Sequence, residues 1–147
     1  MVLSFRVDFG KPDNGSMVVE VSFKNSNLLF IASYIPYNSL FELIDVLIMF
    51  IKTSDTRVVR WNTEPIEYEF IFSKIDDRTT FKVKQFANYL RNQFEDGKIV
   101  FTINGSDKSI VVPFWRALRK LETCNDFEKG WKRAFPEREM QLLSEYV

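Results

Sequence analysis

Apolar and polar residues alternate along the first part of the chain, and this pattern predicts β-strands. From Leu3 to Phe9 every second residue is apolar, as in a strand with one buried face. Two more apolar runs, 17–23 and 28–34, are separated by turn-forming residues. The pattern therefore predicts a three-stranded antiparallel meander.

A helix is predicted to follow this meander. Ser39 and Glu42 have the spacing of a capping box, in which two side chains bond to free backbone N–H groups at a helix start. The helix is expected to run to about residue 52. Its polar stripe consists only of Glu42, Asp45 and Lys52. A helix with so narrow a polar stripe is nearly surrounded by protein. We therefore expect it to lie across the sheet and to supply the main core.

A similar order of elements is predicted for the next part of the chain. Three strands are followed by a helix, in which Phe86, Leu90 and Phe94 fall at helical spacing. Two successive units of three strands and a helix, 3–52 and 57–96, suggest a pseudo-duplication. The predicted strands after the first helix lie at residues 57–61, 66–73, 79–83 and 98–103.

The chain is predicted to be helical from Pro113 onward. Proline suits the first turn of a helix, and Asn125 or Asp126 is a candidate cap for a second, short helix. Pro136 is expected to open the last helix. Because no glycine- or serine-rich linker divides the sequence, we expect residues 1–147 to form a single α+β domain. It is predicted to contain an antiparallel sheet of six or seven strands, helices on one face and a C-terminal helical segment.

The sequence contains no histidine, although Phe, Trp and Tyr make up 16% of it. Histidine is the commonest general base and the commonest transition-metal ligand. Its absence excludes Ser-His-Asp triads, HExxH zinc sites and 2-His-1-carboxylate iron sites. Glycine-rich phosphate loops, CxxC pairs and EF-hand loops are also missing. We therefore expect a protein that is not an enzyme and that binds no metal or cofactor.

Charge and cysteine content bear on the compartment and on the partners. Lys plus Arg and Asp plus Glu number 20 each, so no net charge attracts nucleic acid or an anionic membrane. The single cysteine, Cys124, cannot form a disulfide within the chain. The longest apolar stretch is about half of the ~20 residues that a membrane span requires, and residues 1–9 follow strand alternation rather than the pattern of a secretion signal. We expect a soluble, cytoplasmic protein.

An alternative function rests on three carboxylates. Glu67 and Glu69 lie two residues apart on a predicted strand, and Glu64 lies in the turn before it. Two suitably spaced carboxylates suffice for glycoside hydrolysis, so a histidine-free enzyme or a small-ligand binder is one hypothesis. The competing interpretation is that Glu67 and Glu69 face water and pair with basic residues of a neighbouring strand. The candidates for that pairing are Arg57, Arg60, Lys82 and Lys84.

A second alternative is nucleic-acid binding through the basic residues of the C-terminal helices. Trp115 and Trp131 lie among them, and aromatic rings beside cations can stack on bases. Glu122, Asp126 and Glu128 dilute the positive charge, which favours solvated helix faces instead. The basic cluster consists of Arg116, Arg119, Lys120, Lys129, Lys132 and Arg133.

Three segments resemble parts of small bacterial α+β proteins. They are WNTEPIEY at 61–68 and the later segments 114–118 and 131–136. Some of those proteins are regarded as immunity proteins in contact-dependent toxin systems. The resemblance implies a protein that binds one partner, a toxin, through an exposed face and performs no chemistry.

We therefore favour non-catalytic protein binding as the function. An exposed sheet edge or a surface of aromatic residues and arginine would supply the strongest contacts. At least one of Trp61 and Trp131 is expected to lie in the core, because large aromatic side chains are mostly buried. The residues predicted to bind the partner are Trp61, Trp115, Arg116 and Trp131.

Overall fold

Each strand of the structure pairs with the next strand of its sheet along the chain, so both sheets are antiparallel meanders. The computed structural model describes residues 5–92 and 95–147. The strands are β1 (Arg6–Phe9), β2 (Ser16–Phe23), β3 (Ser26–Ser33), β4 (Arg57–Asn62), β5 (Glu67–Ile75), β6 (Arg78–Phe86) and β7 (Lys98–Gly105). The helices are α1 (Ser39–Thr53), α2 (Asp107–Glu122), α3 (Phe127–Trp131) and α4 (Glu137–Tyr146). One sheet contains β1 to β3 and the other contains β4 to β7.

The expected α+β class is confirmed, but the expected single sheet of six or seven strands is wrong. α1 follows β3 and interrupts the meander, so the strands divide into sheets of three and four. The apolar faces of the two sheets pack against each other. The ring of Phe30 in β3 stacks on that of Tyr68 in β5, with 4.3 Å between their centroids. Each sheet therefore buries its apolar face on the other sheet as well as on helices.

Two helices complete this core. Phe114 of α2 lies against Phe5 and against Phe81 of β6, with centroid separations of 5.5 and 5.2 Å. α1 packs against β4 and α4, and its eight buried residues agree with the prediction that it supplies much of the core. It does so from beside β4, an edge strand, rather than from across the sheet.

The predicted capping box at the start of α1 is wrong. Asn38 occupies the N-cap position of the helix. The side chains of Ser39 and Glu42 bond to the backbone of Arg60 in β4 instead of to the first turn of the helix. The two residues therefore join the helix to the strand.

The spacing of Phe86 and Phe94 predicted a helix, but the described residues contain none at this place. Residues 87–92 contain a bend and a turn instead. Phe86 is the last residue of β6 and pairs with Glu67 of β5, so the strand continues where the helix was expected to begin. Phe94 lies outside the described residues. In the described residues of the unit 57–96 the predicted helix is therefore missing, and the order of the first unit is not repeated in them.

α2 begins at Asp107, before the predicted start at Pro113, which lies inside the helix. Ser106 is the N-cap residue, and its Oγ accepts a hydrogen bond from the backbone N–H of Ser109 at 3.2 Å. This bond satisfies one of the free N–H groups of the first turn, which explains the earlier start. The last helix begins directly after Pro136, as predicted.

Candidate protein-binding surface

Two of the four predicted partner-binding residues lie in the core. Trp61 and Trp131 have fully buried side chains. The indole of Trp61 lies against Phe9 and Phe70, with centroid separations of 6.1 and 5.4 Å. Neither indole can touch a partner while the core is intact. Both are therefore withdrawn from the predicted site, and the expectation that at least one of them is a core residue is confirmed.

The other two predicted residues, Trp115 and Arg116, lie on α2. Trp115 is half-buried, and its Nε1 donates a hydrogen bond to Ser144 Oγ at 2.9 Å, which ties α2 to α4. Arg116 is exposed and lines a groove of about 350 Å³ between α2 and the three-stranded sheet. Arg116 is therefore accessible to a partner, while Trp115 takes part in helix packing.

The basic cluster of the C-terminal helices is divided by contacts with the protein itself. Arg119 forms an ion pair with Glu122 at 2.9 Å. The Nε of Arg133 donates to the carbonyl oxygen of Tyr34 at 2.7 Å. These contacts occupy cations that a surface following a phosphate backbone would use.

Glu67 and Glu69 are turned away from water, contrary to the expectation for this strand. Both carboxylates bind the guanidinium of Arg91, at 2.6 and 2.8 Å. Glu67 is only 1% exposed and also accepts a hydrogen bond from the Tyr37 hydroxyl at 2.6 Å. The guanidinium of Arg91 lies 3.5 Å from the ring centroid of Phe86. The segment after β6 thus folds back over the outer face of the four-stranded sheet, which is the face turned away from the other sheet.

Burial raises the pKa of two groups in this cluster, Glu69 and Tyr37. Burial raises the pKa of Glu69, and the charge of Arg91 opposes that rise. Burial and the hydrogen bond to Glu67 raise the pKa of Tyr37 to about 12, so the hydroxyl keeps the proton that it donates. A fixed arginine neutralises the carboxylates, which suits a structural contact better than acid–base catalysis.

Glu64, the third carboxylate of the alternative site, lies apart from this cluster. It is exposed and accepts a hydrogen bond from Ser33 Oγ at 3.1 Å. An opening of about 420 Å³ at the end of β3 is lined by Glu64 but not by Glu67 or Glu69. The three carboxylates therefore do not converge on that opening. No local pattern indicates that Arg91 belongs to this cluster, because it lies 22 residues beyond Glu69.

Each sheet has two edge strands, and three of these four edges are protected from further pairing. β1 has only four residues and packs against α2. The pairing of β7 with β6 is interrupted by a register shift at Val83 and Lys84, and such bulges bend an edge away from new partners. At β4, the Ser39 hydroxyl donates to the carbonyl oxygen of Arg60 at 2.6 Å. The N–H of Arg60 donates to Glu42 at 2.8 Å.

The fourth edge, at β3, has none of these protections. The N–H of Tyr34, just after β3, donates to the carbonyl oxygen of Gly15. In an antiparallel pair only every second residue directs its N–H and C=O groups to the neighbouring strand, and the residues between them direct theirs to the opposite side. The backbone groups of Leu29 and Ile31 therefore point away from β2. In the described part of the chain no other strand pairs with this side of β3, which we call the free edge of β3.

Exposed apolar side chains lie beside the free edge, on the outer face of the three-stranded sheet. Leu29 is 53% and Ile31 57% exposed. Val18 of β2 lies directly opposite Ile31 and is 37% exposed. Ile35, just after β3, is 44% exposed and lines the same opening as Ile31. We call these four residues the open face; none of them was among the predicted site residues.

No protein-family model matches the chain, and no curated protein or solved structure matches it. Within residues 5–92 and 95–147, no three acidic or cysteine side chains are grouped so that they could hold a metal ion. No helix in the same residues is long and apolar enough to cross a bilayer. The candidate site therefore rests on the geometry of the three-stranded sheet.

Proposed function

We propose that this protein is a non-catalytic protein-binding module whose partner docks on the open face. The observation that carries the proposal is the exposure of four apolar side chains on, or just beyond, the strands of a sheet whose other face fills the core. The core does not require these four residues to be apolar, because they contact water. Contiguous exposed apolar patches are a feature of interaction surfaces.

Charged groups beside the open face supply a rim for such an interface. Arg6 of β1 projects from the same outer face, and Arg116 of α2 flanks it across the groove. The groove contains three cations and two carboxylates, so its charge is slightly positive. Within the part of the chain that the structure describes, neither the Arg6 side chain nor the Arg116 side chain has an ion pair or a hydrogen bond. Glu20 lies directly opposite Leu29, so the arrangement suits a partner that has an apolar patch and carboxylates that reach the two arginines. Arginine pairs readily with carboxylates across interfaces.

The resemblance to bacterial immunity proteins makes a toxin the first class of partner to test. Binding without chemistry agrees with a sequence that contains no histidine. We propose that the encounter takes place in the cytoplasm, where a single thiol such as that of Cys124 stays reduced. The protein encoded by a neighbouring gene is the specific candidate for the partner.

A matched pair of valine variants tests this function. Val18 and Val58 are 37% and 39% exposed on the outer faces of the two sheets. Val18→Lys introduces a charge into the open face and should weaken binding of the neighbouring gene's product by about tenfold or more. Val58→Lys should leave the affinity unchanged. Titration calorimetry measures both affinities, and equal values for the two variants would contradict the proposal.

A further inference from the structure

We propose that two copies of this protein pair through the free edge of β3, in an antiparallel arrangement around a two-fold axis at Phe30. The two three-stranded sheets then form one continuous sheet of six strands. This dimer goes beyond the function proposed above and does not depend on it. The dimer uses the backbone of β3, whereas the partner docks on the side chains of the open face.

Unpaired backbone groups define what can cover the free edge. The N–H and C=O groups of Leu29 and Ile31 point away from β2, and only an extended strand offers donors and acceptors at a matching spacing. The register between β2 and β3 is continuous over all eight residues of β3, so no bulge bends the edge. The occupant is therefore a β-strand rather than a helix.

The side chains along the free edge point to a second copy as the source of that strand. Asn27, Leu29, Ile31 and Ser33 project from the outer face in the order polar, apolar, apolar, polar. This order is the same in both directions. A two-fold axis at Phe30 therefore sets Leu29 opposite Ile31 of the second copy, and Asn27 opposite Ser33. A shift of two residues in either direction would set an apolar side chain opposite a polar one, which weakens cross-strand pairing.

The charges near this edge also permit self-pairing. β3 contains no charged residue and no proline, so two copies bring no like charges together along the strand. Glu64 lies beside Ser33, whose hydroxyl donates to it. Within its own chain the Asn27 amide donates to Glu20 at 2.7 Å, and it keeps a second N–H. In the proposed register this second N–H of the other copy's Asn27 approaches the Glu64 carboxylate.

Pairing places the open faces of the two copies side by side. Residues directly opposite each other in antiparallel strands share one face of the sheet. Val18, Leu29 and Ile31 of both copies therefore lie on the same side of the six-stranded sheet. The dimer presents them as one surface with two-fold symmetry.

Sedimentation velocity with the purified chain tests the pairing directly. The mass should rise with concentration from 17.4 kDa towards twice that value. A single strand pair is a small interface, so we expect a dissociation constant on the order of 10 µM. A mass of 17.4 kDa at every concentration up to about 1 mM overturns the proposal.

Two substitutions of Leu29 separate the backbone contribution from the side-chain contribution. Leu29→Ala and Leu29→Pro both remove the leucine side chain, but only proline also removes the N–H that points to the free edge. Proline is tolerated where the N–H of an edge strand faces solvent, and circular dichroism checks that the fold is kept. Leu29→Pro should raise the dissociation constant about tenfold more than Leu29→Ala does. Equal constants overturn the proposal.

Two double variants test the register and leave every backbone group in place, so they remain informative if the proline variant does not fold. In the proposed register residue 29 of one copy faces residue 31 of the other. Leu29→Lys with Ile31→Lys sets like charges opposite each other, and this variant should stay monomeric. Leu29→Lys with Ile31→Glu sets opposite charges together, and this variant should dimerise. The same mass for both variants overturns the proposed pairing.

Discussion

The outer side of the four-stranded sheet is partly covered, although Val58 remains 39% exposed there, whereas the outer side of the three-stranded sheet has no such cover. Both sheets bury their other face in the same core. On the four-stranded sheet, Arg91 covers part of the outer face by pairing with Glu67 and Glu69. Side chains from α1 occupy backbone groups at its β4 edge. On the three-stranded sheet, the open face and the free edge of β3 remain exposed.

This difference separates residues that serve folding from residues that serve binding. On the covered side Arg91, Glu67 and Glu69 are buried or half-buried, so their contribution to stability requires that each partner stays in place. The apolar residues on the exposed side are in contact with water, and the core does not need them. We infer that the covered side stabilises the fold and that the exposed side is available for contacts with other chains.

The largest expected effect of a substitution is at Arg91, on the covered side. Arg91→Ala leaves Glu67, which is 1% exposed, without its cation. Removing one partner of a buried ion pair costs about 3–5 kcal/mol, and urea unfolding should show this loss in the free energy of unfolding. Arg78→Ala, at an exposed arginine of β6, is the control and should change it by less than ~0.5 kcal/mol. A loss below ~1 kcal/mol for Arg91→Ala would place this pair among ordinary surface salt bridges.

A smaller effect is expected at the β4 edge. Ser39 is fully buried, and its hydroxyl donates to the carbonyl oxygen of Arg60. Ser39→Ala leaves that oxygen without its donor and should lower the free energy of unfolding by about 1–3 kcal/mol. Ser26→Ala, at an exposed position, should change it by less than ~0.5 kcal/mol. If the two serine variants unfold at the same urea concentration, the bond to Arg60 does not stabilise this edge.

The sequence predicts the individual strands better than it predicts their arrangement. Apolar runs bounded by turn residues, many of them alternating with polar residues, located all seven strands of the described residues, because such patterns depend only on neighbours along the chain. The division into two sheets depends on the path of the chain through α1, which no local pattern records. The expectation that Glu67 and Glu69 face water was wrong for a similar reason. Arg91, which binds them, lies in a segment whose apolar spacing resembles that of a helix. No local pattern therefore places Arg91 near these carboxylates.

The open face escaped prediction for a different reason. The run 28–32 is apolar at every position, and a strand buried on both faces has the same pattern. Alternation therefore cannot indicate that Leu29 and Ile31 are the exposed side of β3. The tryptophans failed as site residues because a large aromatic ring fits a core and an interface equally well. Only the position of Trp61 between the sheets decides between these two roles.

The smallest expected effect is a pH dependence at Tyr37, whose hydroxyl bonds to Glu67 on the covered side. Burial and this hydrogen bond raise its pKa from 10.0 to about 12. A group with a higher pKa in the folded state contributes stability that is complete below its unfolded pKa, so this contribution should be lost as the pH rises from 10 to 12. The difference in free energy of unfolding between the wild type and Tyr37→Phe should therefore shrink over that range. The control is Leu29→Thr, on the exposed side. In urea unfolding, the difference between its free energy of unfolding and that of the wild type should be the same at each pH. If the difference in free energy of unfolding between Tyr37→Phe and the wild type is also the same at each pH, the Tyr37 hydroxyl does not stabilise the covered side.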